Sequence, residues 1–202
     1  AYIDGTCQGW LPRGEVIVDV ARGFEYEPLR TKITIEPSQK DLTIRLKRWT
    51  NMNERGWFSG DAHIHFLSAQ GAMTETAGED LNVANVLQSQ WGSHFSSIEE
   101  FDGLPAVSPN GKNIVYVGQE SRQSPLDHLI LLGHQNQIMP WCTGQGGESE
   151  IGGTLEITLS DWADQCHAQG GTVISPHFSG LVGETVVLIA TGRTQGIELI
   201  YQ

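Results

Sequence analysis

The chain has 202 residues, 39% hydrophobic and 18% charged, which suits one large domain, or a medium one with a small companion, and argues against a disordered chain. Its net charge of −12, with no basic run denser than Arg45-Leu46-Lys47-Arg48, argues against a nucleic-acid partner, because phosphate backbones are held by clustered cations. The longest apolar run, Val186–Ala190, falls far short of the about 18 residues that cross a bilayer, so no membrane partner is expected.

The first residues, Ala1-Tyr2-Ile3-Asp4, show neither an initiator methionine nor a charged-then-apolar leader; the start reads as trimmed and the compartment is not legible. Residues 1–50 read as a small antiparallel β unit, too short for a complete sandwich. Within it Val16, Val18 and Val20 share one face, Ile33 and Ile35 another, and Leu42, Ile44 and Leu46 a third, with turns at Arg22-Gly23-Phe24 and Glu36-Pro37-Ser38-Gln39. Residues 51–56 form a connector.

From 57 to 202 the rhythm changes. Short apolar strands at 57–65, 81–87, 113–120, 128–133, 172–176 and 196–201 alternate with helical or irregular stretches, which predicts an α/β domain with a largely parallel sheet or barrel. The clearest helix runs from Ser160, its expected cap, to Gln169, with Asp161 and Asp164 in the electropositive first turn and Gly170-Gly171 ending it. A second is expected near 182–191. Gly144 to Gly153 is a loop rich in glycine and glutamate. Cys7, Cys142 and Cys166 are odd in number and lack any C-x-x-C pair, so they are expected to be thiols with packing roles; a Cys142–Cys166 bridge has no support in the spacing.

The residues with chemistry begin at Gly60-Asp61-Ala62-His63-Ile64-His65. On a strand, Asp61, His63 and His65 project to one face. Two imidazoles one strand step apart suit a divalent ion, and the carboxylate beside them is placed to orient a histidine. The plainer alternative is a pair of surface histidines on an edge strand. Glu120 ends the strand Ile114–Gly118, His128 opens Leu129–Leu132, and His177 closes Val173–Pro176. Ligand-type residues therefore gather at strand ends, where α/β folds bind their ligands. His128 fits only if its strand runs opposite to its neighbours. A solvated Glu120 and a turn-capping His177 are the bland alternatives.

Gly60 to His65 resembles the first motif of the polymerase-and-histidinol-phosphatase (PHP) domain, in its carbaryl-hydrolase-like (CehA/McbA) branch. The resemblance runs on, in order, through Glu79–Val83, Gly118-Gln119-Glu120, Asp127-His128-Leu129 and Ser175-Pro176-His177. The preceding Ala21–Tyr26 and Arg48-Trp49 look like the unit that leads into such domains, so it covers nearly the whole chain. It implies a distorted (β/α) barrel of PHP type, here partial, preceded by the small β unit. It also implies a metal cluster in which His63 and His65 hold one ion, Glu120 bridges two, and His128 and His177 complete the second. The family's Thr-Asp-His is replaced by Leu87-Gln88-Ser89, and the histidine that often follows the first motif is missing near Gln70-Gly71. Both losses fall on a third ion, so two are expected, of zinc, manganese or iron. The family's last Asp-x-His would lie past Gln202, so one ligand is expected to come from the remainder of the polypeptide or from another subunit. An apolar last strand, Ile197–Tyr201, with nothing after it supports the same expectation.

Among lesser candidates, Arg122 is placed to orient an anionic substrate group, or simply to pair with an acid. Trp91, Trp141 and Phe178 follow motif strands and suit either a pocket wall or the core. His94 reads as a solvated loop residue, and His134, on a turn, and His167, on the helix, are given no role. No G-x-S-x-G, P-loop or G-x-G-x-x-G occurs. The expected function is hydrolysis of an ester, amide, carbamate or phosphoester bond in a small molecule by metal-activated water, with Asp61, Glu120 and Arg122 supporting the reaction. The alternatives are a metal-retaining but non-catalytic module, a phosphoesterase of PHP type specifically, and a surface-binding β protein with incidental histidines.

Overall fold

The computed structural model describes residues 2–3, 5–144, 156–178 and 183–199. β-branched residues alternating with polar ones build the first pair of strands, β1 (Gly14–Val20) and β2 (Leu29–Ile35), which are antiparallel from Gly14 opposite Ile35 to Val20 opposite Leu29. Val16, Val18, Val20, Ile33 and Ile35 take the half-buried positions, as their spacing requires. The expected third strand does not form. Ile44, Leu46 and Arg48 keep alternating burial, but the segment pairs only at a single bridge, Arg48 to Tyr26, which lies in the connection between β1 and β2. Alternation there reports packing of one face, without an edge in hydrogen-bonding register.

This two-stranded sheet is tied to the rest of the chain by charge. Arg22 and Arg48 both pair with Asp80, and their guanidinium groups lie 5.3 and 4.9 Å from the Tyr26 ring centre. The Gly23 N–H donates to Glu79 Oε2 at 2.6 Å. Gly23 has φ +45°, and a Cβ there would lie 2.1 Å from the Glu79 carbonyl oxygen. Gly23→Ala is therefore expected to cost about 1–3 kcal/mol, read as a lower urea midpoint, and a midpoint equal to wild type would rule out this tight approach. Between the units, a 3₁₀ turn at Asn53–Arg55 closes on Gly56, and Asn82 Oδ1 accepts from Asn53 and from the Ser59 N–H.

The larger unit runs β3 (Gly60–Ile64), α1 (Ala69–Gly78), β4 (Val83–Trp91), β5 (His94–Ser96), β6 (Ala106–Val107), β7 (Ile114–Ser124), β8 (Asp127–Leu132), β9 (Cys142–Gly144), α2 (Leu159–Ala168), β10 (Thr172–Ser175), α3 (Thr185–Ala190) and β11 (Gly196–Ile197). Its sheet has the order β11-β10-β8-β7-β4-β3 and curls as a half-barrel, with β5 added to β4, and β6 and β9 to β7. The sheet is mixed where a largely parallel one was expected. β3, β4 and β7 are parallel, β8 is antiparallel to both β7 and β10, and β11 is parallel to β10. Only Pro125 and Leu126 separate β7 from β8. A parallel partner needs a crossover of about a dozen residues, so this connection dictates a hairpin. It brings the start of β8 to the edge where β3, β4 and β7 end, which removes the difficulty with His128.

Two apolar clusters hold helices against the sheet. α1 packs through Ala72 and Met73 on Ile64, Ala84, Val86 and Val115. α2 and α3 pack through Leu159, Trp162, Ala163, Cys166 and Leu188 on Leu129, Leu131 and Val173. The cap of α2 is Thr158, in a reciprocal box with Asp161, rather than Ser160. Ser160 is taken up by Glu184, whose carboxylate accepts from its hydroxyl at 2.5 Å and from the Leu159 N–H at 2.7 Å. Cys142 and Cys166 are buried and make no disulfide with each other, while Cys7 is exposed, so Cys7 has no packing role. Residues 145–153 of the glycine-rich loop, and Ile200 and Tyr201 of the expected last strand, lie outside the described residues. Among the described residues no helix is long and apolar enough to cross a membrane.

His134 is fully buried, its ring stacked on Phe101 with centroids 5.2 Å apart. Burial pushes its pKa down to about 4 from an ordinary value of 6.5. A depressed folded pKa leaves stability intact above pH 6.5 and removes it as pH falls toward 4, by up to about 3 kcal/mol. Chelator-treated His134→Phe is expected to lose less stability than chelator-treated wild type between pH 7 and 4.5 in urea titrations. Parallel losses would show that His134 does not carry the acid sensitivity.

Candidate metal centre

β3 ends at the rim of the half-barrel and delivers His63, with His65 just past its last residue. Glu120 lies inside β7, not at its end, because β7 continues to Ser124. It is 0% exposed, which replaces the solvated alternative. On the antiparallel neighbour, Ile130 lies opposite Glu120 and His128 opposite Arg122. His177 follows β10 in a left-handed backbone conformation, φ +32°, steadied by donation of its N–H to Glu198 Oε2 at 2.7 Å.

All five expected ligands converge. Glu120 Oε1 lies 3.1 Å from His128 Nδ1, 3.6 Å from His177 Nε2 and 3.9 Å from His63 Nε2. Glu120 Oε2 lies 2.9 Å from His65 Nε2 and also meets Arg122 Nη2. The histidines pair off, His63 Nε2 with His65 Nε2 at 3.0 Å and His128 Nδ1 with His177 Nε2 at 3.3 Å. Burial alone would raise the Glu120 carboxyl; hydrogen bonds with His128, His177 and His65, and the charge of Arg122, outweigh it and hold the group far below the usual carboxylate range. The hydrogen bond to Glu120 in turn raises the pKa of His177 against the effect of burial.

The donor set fits a divalent metal. Neutral imidazole nitrogens and a carboxylate are first-row metal ligands, and donors around one ion at about 2.0–2.2 Å stand about 3–4 Å apart. Donor atoms of His63, Glu120 and His177 lie within 4.8 Å of one another. The expected two-ion arrangement would divide these ligands into two overlapping tripods, His63/His65/Glu120 and His128/His177/Glu120; the trio His63, Glu120 and His177 takes one residue from each histidine pair.

Asp61 does not orient an imidazole as expected. It is exposed, and its Oδ1 accepts from the His63 backbone N–H at 2.9 Å, because an Asp two residues earlier reaches the main chain first. The residue that does hold a ring is Glu198, absent from the expected site: both its oxygens lie 3.1 Å from His63 Nδ1. Its signal was available, since Gly196-Ile197-Glu198 repeats the pattern of an acid after a short apolar strand seen at Glu120. Ser89, read only as a loss from a motif, has its Oγ 3.4 Å from His65 Nδ1. Arg122 is 4% exposed and turned to Glu120, with its guanidinium carbon 4.0 Å from the Trp91 ring centre, so it stands as the ion-pair partner.

Trp91 also meets His65 edge-on and stacks on Phe66 at 4.9 Å, forming a wall beside the histidines. Trp141 packs against Phe95, and Phe178 is half-buried. His94 is exposed, and His167 on α2 bonds to Gln195 at 2.9 Å. A cavity of about 310 Å³ opens beside His63 and His65, lined also by Asp61, Glu75 and Glu79. A larger apolar cleft of about 520 Å³, between Phe24, Trp49, Trp57 and Phe58, contains none of the ligand-type histidines.

A carboxylate on the far nitrogen of a ligand histidine fixes its tautomer and raises its basicity, and removing such a partner typically costs about 10–100-fold in metal affinity. Glu198→Gln is expected to weaken zinc binding on that scale in calorimetric titration, while unchanged affinity would reduce the His63–Glu198 contact to packing. Comparison of the chain with protein-family models, with curated proteins and with solved structures finds no match.

Proposed function

We propose that this chain is a metal-dependent hydrolase of the PHP type, carbaryl-hydrolase-like branch, acting on an ester, amide, carbamate or phosphoester bond of a small molecule. The observation that carries the reading is the convergence of His63, His65, His128 and His177 on the fully buried carboxylate of Glu120. Such a set is a costly arrangement for stability alone, since a buried carboxylate needs compensation for its lost hydration.

Two divalent ions, of zinc, manganese or iron, would be held by the two tripods and would supply Lewis acidity and a nucleophilic water at neutral pH. The chain's own residues prepare that chemistry. Glu120 presents Oε1 to His128, His177 and His63, and Oε2 to His65. Glu198 holds His63 with its Nε2 toward the centre. Trp91 and Phe66 form a wall beside His65, and the cavity next to His63 and His65 offers room for a substrate.

The test is elemental analysis of protein purified without a histidine tag, followed by turnover of a nitrophenyl ester and a bis-nitrophenyl phosphodiester before and after chelation. Bound metal with chelator-sensitive turnover supports the reading. Bound metal without turnover would favour the non-catalytic module, and no metal would overturn both.

A further inference from the structure

We propose that Arg122 makes the two halves of the metal centre unequal, by competing for Glu120 Oε2 and weakening the ion held by His63 and His65 relative to the ion held by His128 and His177. This inference rests on the functional reading above and concerns the order in which the centre fills.

The two halves share one carboxylate, but its oxygens have different neighbours. Oε1 faces His128, His177 and His63, imidazole donors that carry no permanent charge. Oε2 faces His65 and a guanidinium, which keeps its charge at any pH the protein survives. An oxygen already accepting from Arg122 has less charge to give a second cation, and an ion seated there also meets direct repulsion. Within a protein these effects are several times larger than in water.

Arg122 is not placed to step aside. Its side chain is 5% exposed and the Trp91 ring lies against it. Its Nη1 donates to the Gln90 carbonyl at 3.5 Å, and its backbone N–H to the Trp141 carbonyl at 2.9 Å. β8 and β9 flank it on either side of β7. Glu198 acts in the opposite sense by strengthening His63 as a ligand, but through one imidazole rather than through the shared carboxylate. The balance leaves a weaker site that still binds. That site adjoins the 310 Å³ cavity through His63 and His65, so the exchangeable ion is the one nearest the open space. Arg122 is thus a positioning residue acting through Glu120.

The experiment is a zinc titration of the full, untagged, chelator-stripped chain against a chromophoric chelator. Wild type is expected to take up two equivalents with affinities separated by about tenfold or more, the scale on which partners behind ligands tune metal sites. His65→Ala should abolish the weaker class and keep the tighter one, whereas His177→Ala should abolish the tighter class. Arg122→Met, similar in volume but uncharged, should narrow the gap, and Arg122→Lys should largely keep it. Two equal classes in wild type, loss of the tighter class in His65→Ala, or an unchanged gap in Arg122→Met would each overturn the proposal while leaving a metal centre in place. Should Arg122→Met fail to fold, the wild-type titration and the two histidine variants decide it. Failure to bind zinc at all would overturn the functional reading itself.

Discussion

Glu120→Gln should lower occupancy of both metal positions at once. The substitution keeps the shape of the side chain and removes the single negative charge common to both tripods. Its amide would present a donor to one of two neighbourhoods that need an acceptor. The same change leaves Arg122 buried beside a neutral partner, and breaking a buried ion pair from one side typically costs about 3–5 kcal/mol. Metal content by elemental analysis should fall toward zero, and the melting temperature of the chelated variant should lie below that of chelated wild type. Retention of one ion at full occupancy would make Glu120 a ligand to the other alone.

Chelation of wild type should lower its melting temperature, and by an amount that grows with pH. A ligand present at about 100 times its dissociation constant adds about 2.7 kcal/mol, and each kcal/mol moves the midpoint of a chain this size by about 2–4 °C. A drop of roughly 5–10 °C near neutral pH follows. The pH trend comes from opposite linkages. Without metal, His177 has a raised pKa in the folded state, so its pairing with Glu120 contributes fully below the ordinary histidine value and is lost as pH rises through the raised one. With metal, the imidazoles must be neutral, so affinity increases over the same range. The difference between loaded and chelated protein should therefore widen from pH 6 to pH 8 in paired thermal scans. A constant difference would mean that histidine deprotonation is not coupled to binding.

The converging histidines and Glu120 were legible because they obey local rules. Strand alternation puts His63 and His65 on one face, and short apolar runs followed by Glu or His single out Glu120 and His177, although β7 runs on past Glu120. What stayed hidden was polar and buried together. Beyond Gly118 and Leu87 the strands β7 and β4 continue through Gln119, Ser121 and Gln123, and through Gln88, Ser89 and Gln90, a composition that reads as loop. These side chains are buried because each finds a partner: Gln119 accepts from the Ile138 N–H at 3.2 Å and donates to its carbonyl at 2.6 Å, and Gln123 donates to the Ile157 carbonyl at 3.3 Å. Such partners come from loops distant in sequence, and no periodicity announces them. α1 was hidden for a related reason, since Ala72 and Thr76 are the only buried positions it offers.

Side-chain type and spacing within a few residues were enough to mark the residues with ligand chemistry and the inward faces of β1 and β2. What needed the folded chain was the extension of β7 to Ser124, which makes the turn into β8 a hairpin and brings His128 onto Glu120, and the arrival of Glu198 behind His63 from 135 residues away. Tertiary structure also decided that Asp61 serves the backbone while Arg122 turns inward to the carboxylate. The physical reason is that hydrogen bonds and ion pairs are won by whichever partner the folded chain brings within about 3 Å, and sequence spacing ranks only the local contenders.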